Sequence, residues 1–421
     1  MNVLLLILLV ATFCMTAPAE TNTASTAPVA LTLADAYALA LERSETLGIV
    51  ASDWRAAEQR HRRARAAAWP ELRAQGDATW QDDGGGNSSR EDHTASAGLG
   101  AGYAIFQGFR TTRLANARGA EADALALDLE RQRQLLYQDV ADIFYEALAR
   151  AGERAAIDEQ TATLDDRVRE IERRVELGRS RRGDLLAAQA QAADIRVADE
   201  QTRGLEASAL ELLAFLTGQP ADTLRPVETN TLPAADAVSR FLQHESSRAD
   251  VRAAEQRVRA AESEARASDG ERLGTVRADA NWQPLTTPAD ESEWDLTLRA
   301  ELPLFDHGVR RADAAERREN VRASELRLAR LERSVDHEVR LAAREVSSAL
   351  AQRAALTEAL RASLENADTQ RRDYELGRAS NLDALAALLQ WHVLNRRAAV
   401  LDMQTRAAIV RLHVAAGEAP P

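Results

Sequence analysis

WDLTLRAELPLF (294–305) sets Trp294, Leu296, Leu298, Ala300 and Leu302 on alternate positions, with Asp295, Thr297, Arg299 and Glu301 between them. A period of two predicts a β-strand with one apolar and one charged face. Just upstream, RLGTVRADANWQ (272–283) reads as a partner strand and PLTTPADESE (284–293) as the loop of a hairpin. The same plan occurs earlier. ELRAQGDATWQ (71–81) alternates Leu72, Ala74, Gly76, Ala78 and Trp80 against polar residues. The polar stretch DDGGGNSSREDH (82–93) follows, and then ASAGLGAGYAIF (95–106).

The two hairpins belong to a longer duplication. RAAEQR occurs at 55–60 and 252–257, and GDATWQ (76–81) returns as ADANWQ (278–283). IFQGFRTTR (105–113) is echoed by LFDHGVRRA (304–312), and VELGRSRRGDLL (175–186) by YELGRASNLDAL (374–385). The order is preserved at offsets near 200, so each copy is a large substructure rather than a short solenoid unit. In the first copy, LTLADAYALALERSETLGIVASDWRAAEQRHRRARAAA (31–68) predicts one helix with Thr32 as its N-cap, ended by Pro70. A long helix follows each hairpin, from about 108 to 177 and from about 308 to 376. A glycine turn and a helix of half that length then return, 184–217 and 383–416. Leu125, Leu129, Leu136, Val140, Ile143 and Ala147 form a coiled-coil-like seam, as do Val335, Val339, Ala342, Val346 and Leu350. About 70 helical residues span roughly 105 Å, so two short helices stacked end to end match one long helix.

Composition agrees with rods. No proline lies between Pro70 and Pro220 or between Pro303 and Pro420, and aromatics are only 4%. The net charge of −13 disfavours a nucleic-acid partner, and all 53 basic residues are arginine. MNVLLLILLVATFCMTAPAE reads as a secretory signal peptide, residues 1–19, that carries the only cysteine, Cys14. Phe13 before it argues against lipidation. The division expected is a linker 20–30, a first repeat 31–220 with its hairpin at about 70–106, and a linker 221–236. A second repeat 237–417 follows, with its hairpin at about 272–305, and then a tail 418–421. Seven scattered histidines and the absence of H-E-x-x-H, G-x-S-x-G or a phosphate loop give no sign of an enzyme, a bound metal or a cofactor.

Strands of 10–12 residues suit a membrane-spanning β-element, with Trp80, Tyr103, Phe106, Trp282, Trp294 and Phe305 as interface aromatics. Two soluble hairpins folded onto the helices are the other reading of the pattern. Four strands cannot close a barrel, and unpaired edges do not survive in lipid. A spanning chain must therefore oligomerise: a dimer would supply eight strands, a trimer twelve and an open bore.

LTLADAYALAL (31–41), IFQGFR (105–110), VELGRSRRGDLL (175–186), ELLAFLTGQP (211–220) and YELGRASNLDAL (374–385), in this order, resemble the TolC-like outer-membrane efflux family. The resemblance covers most of 31–417. It implies a mainly α fold of duplicated long-helix bundles plus four transmembrane strands per protomer, closing as a homotrimer into a 12-stranded barrel that continues as a periplasmic α-helical tunnel. It implies a passive duct for efflux or type I secretion, set in outer-membrane lipid, with a periplasmic adaptor (membrane-fusion) protein and an inner-membrane pump as partners. Asp383 stands where the family has an acidic ring at the pore aperture. Asp184 and Tyr374 stand at tip-latch positions, and Gly178 and Gly377 at the turns against which adaptors dock. Ala379 replaces a linking arginine and Ala386 a second aspartate, which leaves Arg378, Arg181 or Arg182 as substitutes in the latch. N-capping for the two aspartates and plain αL C-caps for the two glycines fit the same residues. A periplasmic coiled-coil adaptor or scaffold is the alternative function that the long helices alone allow.

Overall fold

The computed structural model describes residues 29–81, 92–228, 241, 248–287 and 294–418. The expected signal peptide, much of the hairpin loops and the C-terminal tail lie outside the described residues. In chain order the elements are β1 (Val29–Leu31), α1 (Leu33–Arg43), α2 (Glu45–Ala66), β2 (Glu71–Gln81), β3 (Asp92–Phe106) and α3 (Arg110–Glu176). They continue with α4 (Arg182–Thr217), β4 (Leu224–Pro226), α5 (Ala249–Gly270), β5 (Thr275–Thr287), β6 (Trp294–Glu301), α6 (Val309–Glu375) and α7 (Asn381–Ala416).

The long helices α3 and α6 have 67 residues each, about 100 Å at the standard rise. Along α3, α2 takes one half and α4 the other; α5 and α7 divide α6 in the same way. Both α5 and α7 also pack on α3, so the wall runs α2/α4, α3, α5/α7, α6. This order explains a burial difference that the seam pattern did not foresee. Flanked on both sides, α3 buries Tyr137, Ala141, Phe144 and Tyr145 besides Leu129, Val140 and Ala147. At the wall's edge, α6 buries little more than one stripe that includes Val335, Val339, Ala343, Val346 and Ala349.

Cores gather where short helices meet. Leu31, Ala36, Val140, Phe144, Leu213 and Leu224 cluster at mid-height of α3, and Val251, Val335, Val346, Ala408 and Leu412 at mid-height of α6. Two buried arginines fasten the second of these junctions. Arg248, 3% exposed, donates to both Asp250 oxygens (2.9 and 2.7 Å), to Glu338 Oε2 (2.7 Å) and to the Ala415 carbonyl (3.1 Å). Arg131 donates to the Val414 carbonyl (2.7 Å) and Gln134 to the Gly417 carbonyl (3.2 Å). The carbonyls at the end of a helix have no partner within it, and here side chains from α3 and the start of α5 supply the donors.

Four local features differ from the sequence reading. The predicted helix 31–68 is two helices, because Ser44 leaves helical geometry (ψ 106°) and caps α2 by accepting from Leu47 N (3.2 Å). Thr32 does cap α1, in a reciprocal box with Asp35. Second, β5 runs on through Pro284 to Thr287, with a register shift against β3 between Ala97 and Leu99 where the proline would lack a donor. Third, β6 stops at Glu301 ahead of Pro303, so Phe305 follows the strand instead of sitting in it. Fourth, β1, which straddles the end of the first expected linker, and β4, inside the second, pair in parallel, Val29 with Leu224 and Leu31 with Pro226.

Candidate functional site: sheet and tips

The four long strands form one antiparallel sheet, order β2-β3-β5-β6. Its β3–β5 pairing joins the hairpins of the two repeats, a contact no local pattern announces. Gly108 and Gly270 allow the approach beneath it, since a Cβ on either would overlap the other's carbonyl. Register sorts the side chains. One face carries the rows Ala74–Leu99–Trp282–Trp294, Leu72–Ala101–Ala280–Leu296 and Tyr103–Ala278–Leu298, with Trp80 beyond them. The opposite face carries Arg73–Gly100–Asn281–Asp295 and Glu71–Gly102–Asp279–Thr297. Polar side chains on it bond one another: Ser96 Oγ to Asp77 Oδ1 (2.6 Å), Arg277 Nε to Asp279 Oδ1 (2.8 Å) and Asn281 Nδ2 to Asp295 Oδ2 (3.2 Å).

The apolar face is uncovered. Leu72, Trp80, Leu99, Trp282, Trp294, Leu296 and Leu298 are all exposed. A contiguous apolar surface this large is not left facing water. Trp69, absent from the predicted aromatics, is 76% exposed at the junction of α2 and β2. It precedes Trp80 by the length of the strand, about 37 Å of extended chain, or roughly 28 Å once tilted as barrel strands are. That matches the apolar band of an outer-membrane barrel. Tyr103, Phe106 and Phe305 lie toward the helices, while Trp80, Trp282 and Trp294 lie farther out.

At the opposite end of the rods are two glycine turns of one geometry. Gly178 (φ 69°) and Gly377 (φ 71°) follow α3 and α6 in the left-handed region. Each turn closes with paired backbone bonds: Gly178 N to Val175 O and Arg179 N to Arg174 O, Gly377 N to Tyr374 O and Arg378 N to Asp373 O. These are Schellman caps. Exposed Leu177, Leu186, Leu376 and Leu382 surround them.

Asp383 and Asp184 both cap their helices. Asp383 Oδ2 accepts from Ser380 Oγ (2.6 Å) and Ser380 N (3.2 Å), and Asp383 N donates back to Ser380 Oγ (3.2 Å). The Ser380 hydroxyl, and after it the Ser380 amide, hold the Asp383 carboxyl below the usual carboxylate range. Asp184 Oδ2 accepts from Ser180 Oγ (3.0 Å) and Arg181 N (3.2 Å).

The Tyr374 ring, at the end of α6, packs against α3. It lies 4.1 Å from Arg167 Cζ and 4.6 Å from Arg174 Cζ, two cation–π contacts from α3. Glu170 holds both guanidiniums, at 2.7 and 2.8 Å, and Arg167 also donates to Asn381 Oδ1 (2.7 Å) at the start of α7. The two tips are thereby tied together within one chain. Arg378 is exposed and makes no ion pair among the described residues. Arg167, Arg174, Glu170 and Asn381 were invisible in the sequence, where an Arg-x-x-Glu step is ordinary helical surface.

Between tip and mid-height, His392 on α7 is fully buried with both ring nitrogens unpartnered, and Gln160 Oε1 on α3 is likewise unpartnered. Burial, followed by the charge of Arg396, pushes the His392 pKa down to about 4. The unfolded chain then takes up a proton near its ordinary value of about 6.5 while the folded chain does not. Stability therefore falls as pH drops from about 6.5 to about 4, by up to about 3 kcal/mol. In His392→Leu the denaturation midpoint loses that slope; an unchanged slope would place its origin elsewhere.

Among the described residues no cluster could hold a metal, and no helix is long and apolar enough to cross a membrane. A membrane-facing half-sheet on a wall of paired rods defines a β-barrel and helical-tunnel channel. The profile of the outer membrane efflux protein family matches residues 36–219 and 243–418, and the chain belongs to that family: it is an outer-membrane efflux channel whose helices extend into the periplasm. No curated protein sequence matches it. Its fold is similar to that of CusC (TM-score 0.81, 18% identity, covering 93% of each chain). It is also similar to the outer membrane protein VceC of Vibrio cholerae (0.79, 19%, covering 92% of this chain and 96% of VceC). A third likeness is to the open state of the MtrE outer membrane channel of Neisseria gonorrhoeae (0.77, 19%, covering 92% of this chain and 89% of MtrE).

Proposed function

We propose that three copies of this chain close head to tail into a passive duct that docks at its glycine tips on a periplasmic adaptor served by an inner-membrane pump. One observation carries the closure. The sheet is open at β2 and β6, and the wall is open at α2/α4 and α6, so both layers lack a neighbour on the same two sides. Val197, Leu205, Leu212 and Phe215 are exposed on α4, and Leu326, Leu341 and Leu364 on α6. Unlike edges that complement each other build a heterologous ring. Twelve strands would leave a bore lined by the polar face. A coiled-coil adaptor or scaffold would have no use for the uncovered tryptophan and leucine rows. The detergent-solubilised particle should weigh three chains and dissociate on heating, whereas a monomer would defeat the reading.

At the aperture we assign Asp383 the acidic ring, with Gly178, Gly377 and the leucines beside them as the adaptor-facing tip. We assign Tyr374, with Arg167 and Arg174, to the latch, and Asp184 and Arg378 to contacts with neighbouring protomers at the same tips. The duct does no chemistry. The cleft among Asp142, Glu146 and Glu345 is already ion-paired, Arg411 lying 2.9 Å from Asp142 and 2.9 Å from Glu345. Three carboxylates near the axis favour cations, so Asp383→Ala should weaken cation preference in planar bilayers. Because the pKa of Asp383 is depressed, its charge and its capping persist above that pKa and are lost only as pH falls through it. Ser380→Ala removes the larger of the two bonds and moves the acidic midpoint of cation selectivity upward. Identical midpoints in the two proteins would remove Asp383 from the aperture.

A further inference from the structure

The duplication lets one joint inside the chain stand for one between chains. Helices α2 and α5 have 22 residues each, and α3 and α6 have 67 each, so Glu45 corresponds to Ala249 and Arg110 to Val309. Packing agrees. His61 meets the Ala115 carbonyl in the first repeat, and the matching positions 265 and 314 fall between the contacts Glu264–Arg317 and Ser268–Asp313 in the second. The two RAAEQR phrases therefore stand about two turns out of step while sharing a helix face. In a head-to-tail ring, the joint between α3 and α5 recurs between α6 of one copy and α2 of the next.

Inside the chain this joint is held by Arg110–Glu271 (3.4 Å), Arg118–Glu264 (3.5 Å) and Arg257–Asp128. Ala117 and Ala124 share a helix face with Asp128, and Ala260 and Ala267 share one with Arg257 and Glu264; the alanines are buried. The outer edges rewrite these positions. On α6, Ala117, Ala124 and Asp128 are replaced by Glu316, Ala323 and Arg327. On α2, Arg257, Ala260, Glu264 and Ala267 are replaced by Asp53, Ala56, Arg60 and Arg63. Alanine stays level with alanine, Ala56 with Ala323. Toward the sheet, Arg63 comes level with Glu316 and Arg60 with Glu319, to within a turn. Toward the tips, Asp53 comes level with Arg327.

One chain leaves these charges unpaired. Asp53, Arg60, Arg63, Glu316, Glu319 and Arg327 are exposed, and none has an ion pair among the described residues. Their neighbours are engaged inside the chain: Arg317 by Glu264 and Asp313, and Arg318 by Asp269. Helical spacing leaves Arg62 and Arg65 off this face, Arg65 sharing the α3 side with Ala57 and His61.

We propose that a second copy of this chain covers the face through a charge-paired antiparallel seam. Arg63 and Arg60 of one chain meet Glu316 and Glu319 of the next, Asp53 meets Arg327, and Ala56 packs on Ala323 between them. The seam rests on the head-to-tail closure proposed above and adds the residues that join and their register. Its signs alternate along the rods, basic on acidic near the sheet and acidic on basic below. A slide of about two turns would set Arg60 against Arg327, and like charges brought together disfavour the wrong register.

The test counts trimer and monomer of the full-length, detergent-solubilised protein by native mass spectrometry. Arg60→Glu with Arg63→Glu, or Glu316→Arg with Glu319→Arg, should lower the trimer-to-monomer ratio on the order of tenfold. Combining the four substitutions restores opposite signs across every joint and should recover the ratio, which a folding defect would not. High salt should narrow the gap between wild type and the reversed variants. In a Cys14→Ser background, Ala56→Cys with Ala323→Cys should give disulfide-linked trimers on a non-reducing gel, and Arg62→Cys with Ala323→Cys should give none. A wild-type trimer whose reversed variants are not rescued by the combination, or whose Ala56 and Ala323 positions do not cross-link, overturns the seam and leaves the ring standing. A monomeric wild type overturns the ring, and the seam falls with it.

Discussion

Leu298→Arg should abolish assembly of the channel in the outer membrane, while Thr297→Arg, one residue away, should leave it intact. Leu298 lies in the apolar row with Tyr103 and Ala278, and Thr297 in the polar row with Asp279 and Glu71. An arginine facing lipid costs up to about 2–4 kcal/mol at the bilayer midplane and less toward the interface, and a closed ring carries it once per chain. The polar face already holds Arg277 and Arg299 and has water to accept another. The measurement is the fraction of heat-dissociable oligomer in outer-membrane preparations. Equal tolerance, or equal loss, would mean that register does not separate a lipid face from a bore.

Arg248→Ala should unfold the junction where α7 meets α5. Removing the buried guanidinium leaves the half-buried Asp250 carboxylate and the Ala415 carbonyl without their donor, at about 1–3 kcal/mol, while the exposed Glu338 returns to water. Asp250 would lose two bonds, Glu338 one and the Ala415 carbonyl one. Asp250 is held below the ordinary carboxylate range despite burial, chiefly by Arg248. Its share of stability is thus present above that range and lost as pH falls through the folded value. The readout is the denaturant midpoint against Arg131→Ala, which leaves the Arg248–Asp250–Glu338 set standing and should cost less. If Arg248→Ala costs under about 1 kcal/mol, the junction rests on its apolar core instead.

What could be read beforehand follows from the range of the interaction. The rods were legible because proline is absent over long tracts, and the strands because alternation is a property of neighbours. The duplication showed because short phrases kept their order. Ser44 broke a predicted helix because a hydroxyl that captures a nearby amide competes with helix continuation, and the pattern around it was otherwise uniform. Pro284 sat inside a strand because a bulge there needs no donor. The β3–β5 pairing, the Arg248 cluster and the Arg167–Tyr374–Arg174 contact join residues far apart in the chain, so no local period could reveal them. At the tips, the sequence pointed to Asp383, Asp184, Tyr374 and the two glycines, and the structure displays their capping and turn geometry. It was silent about the arginines that Tyr374 meets.

The small parallel pair of β1 and β4 bears on biogenesis. Val29 and Leu224 are separated by roughly 200 residues, and a parallel pair cannot form before its later strand has left the export machinery. As the polypeptide threads out amino end first, its leading segment must wait unpaired while a whole repeat emerges and condenses. The joint then closes around a finished half-molecule. The joint therefore closes only once the chain has emerged through Pro226.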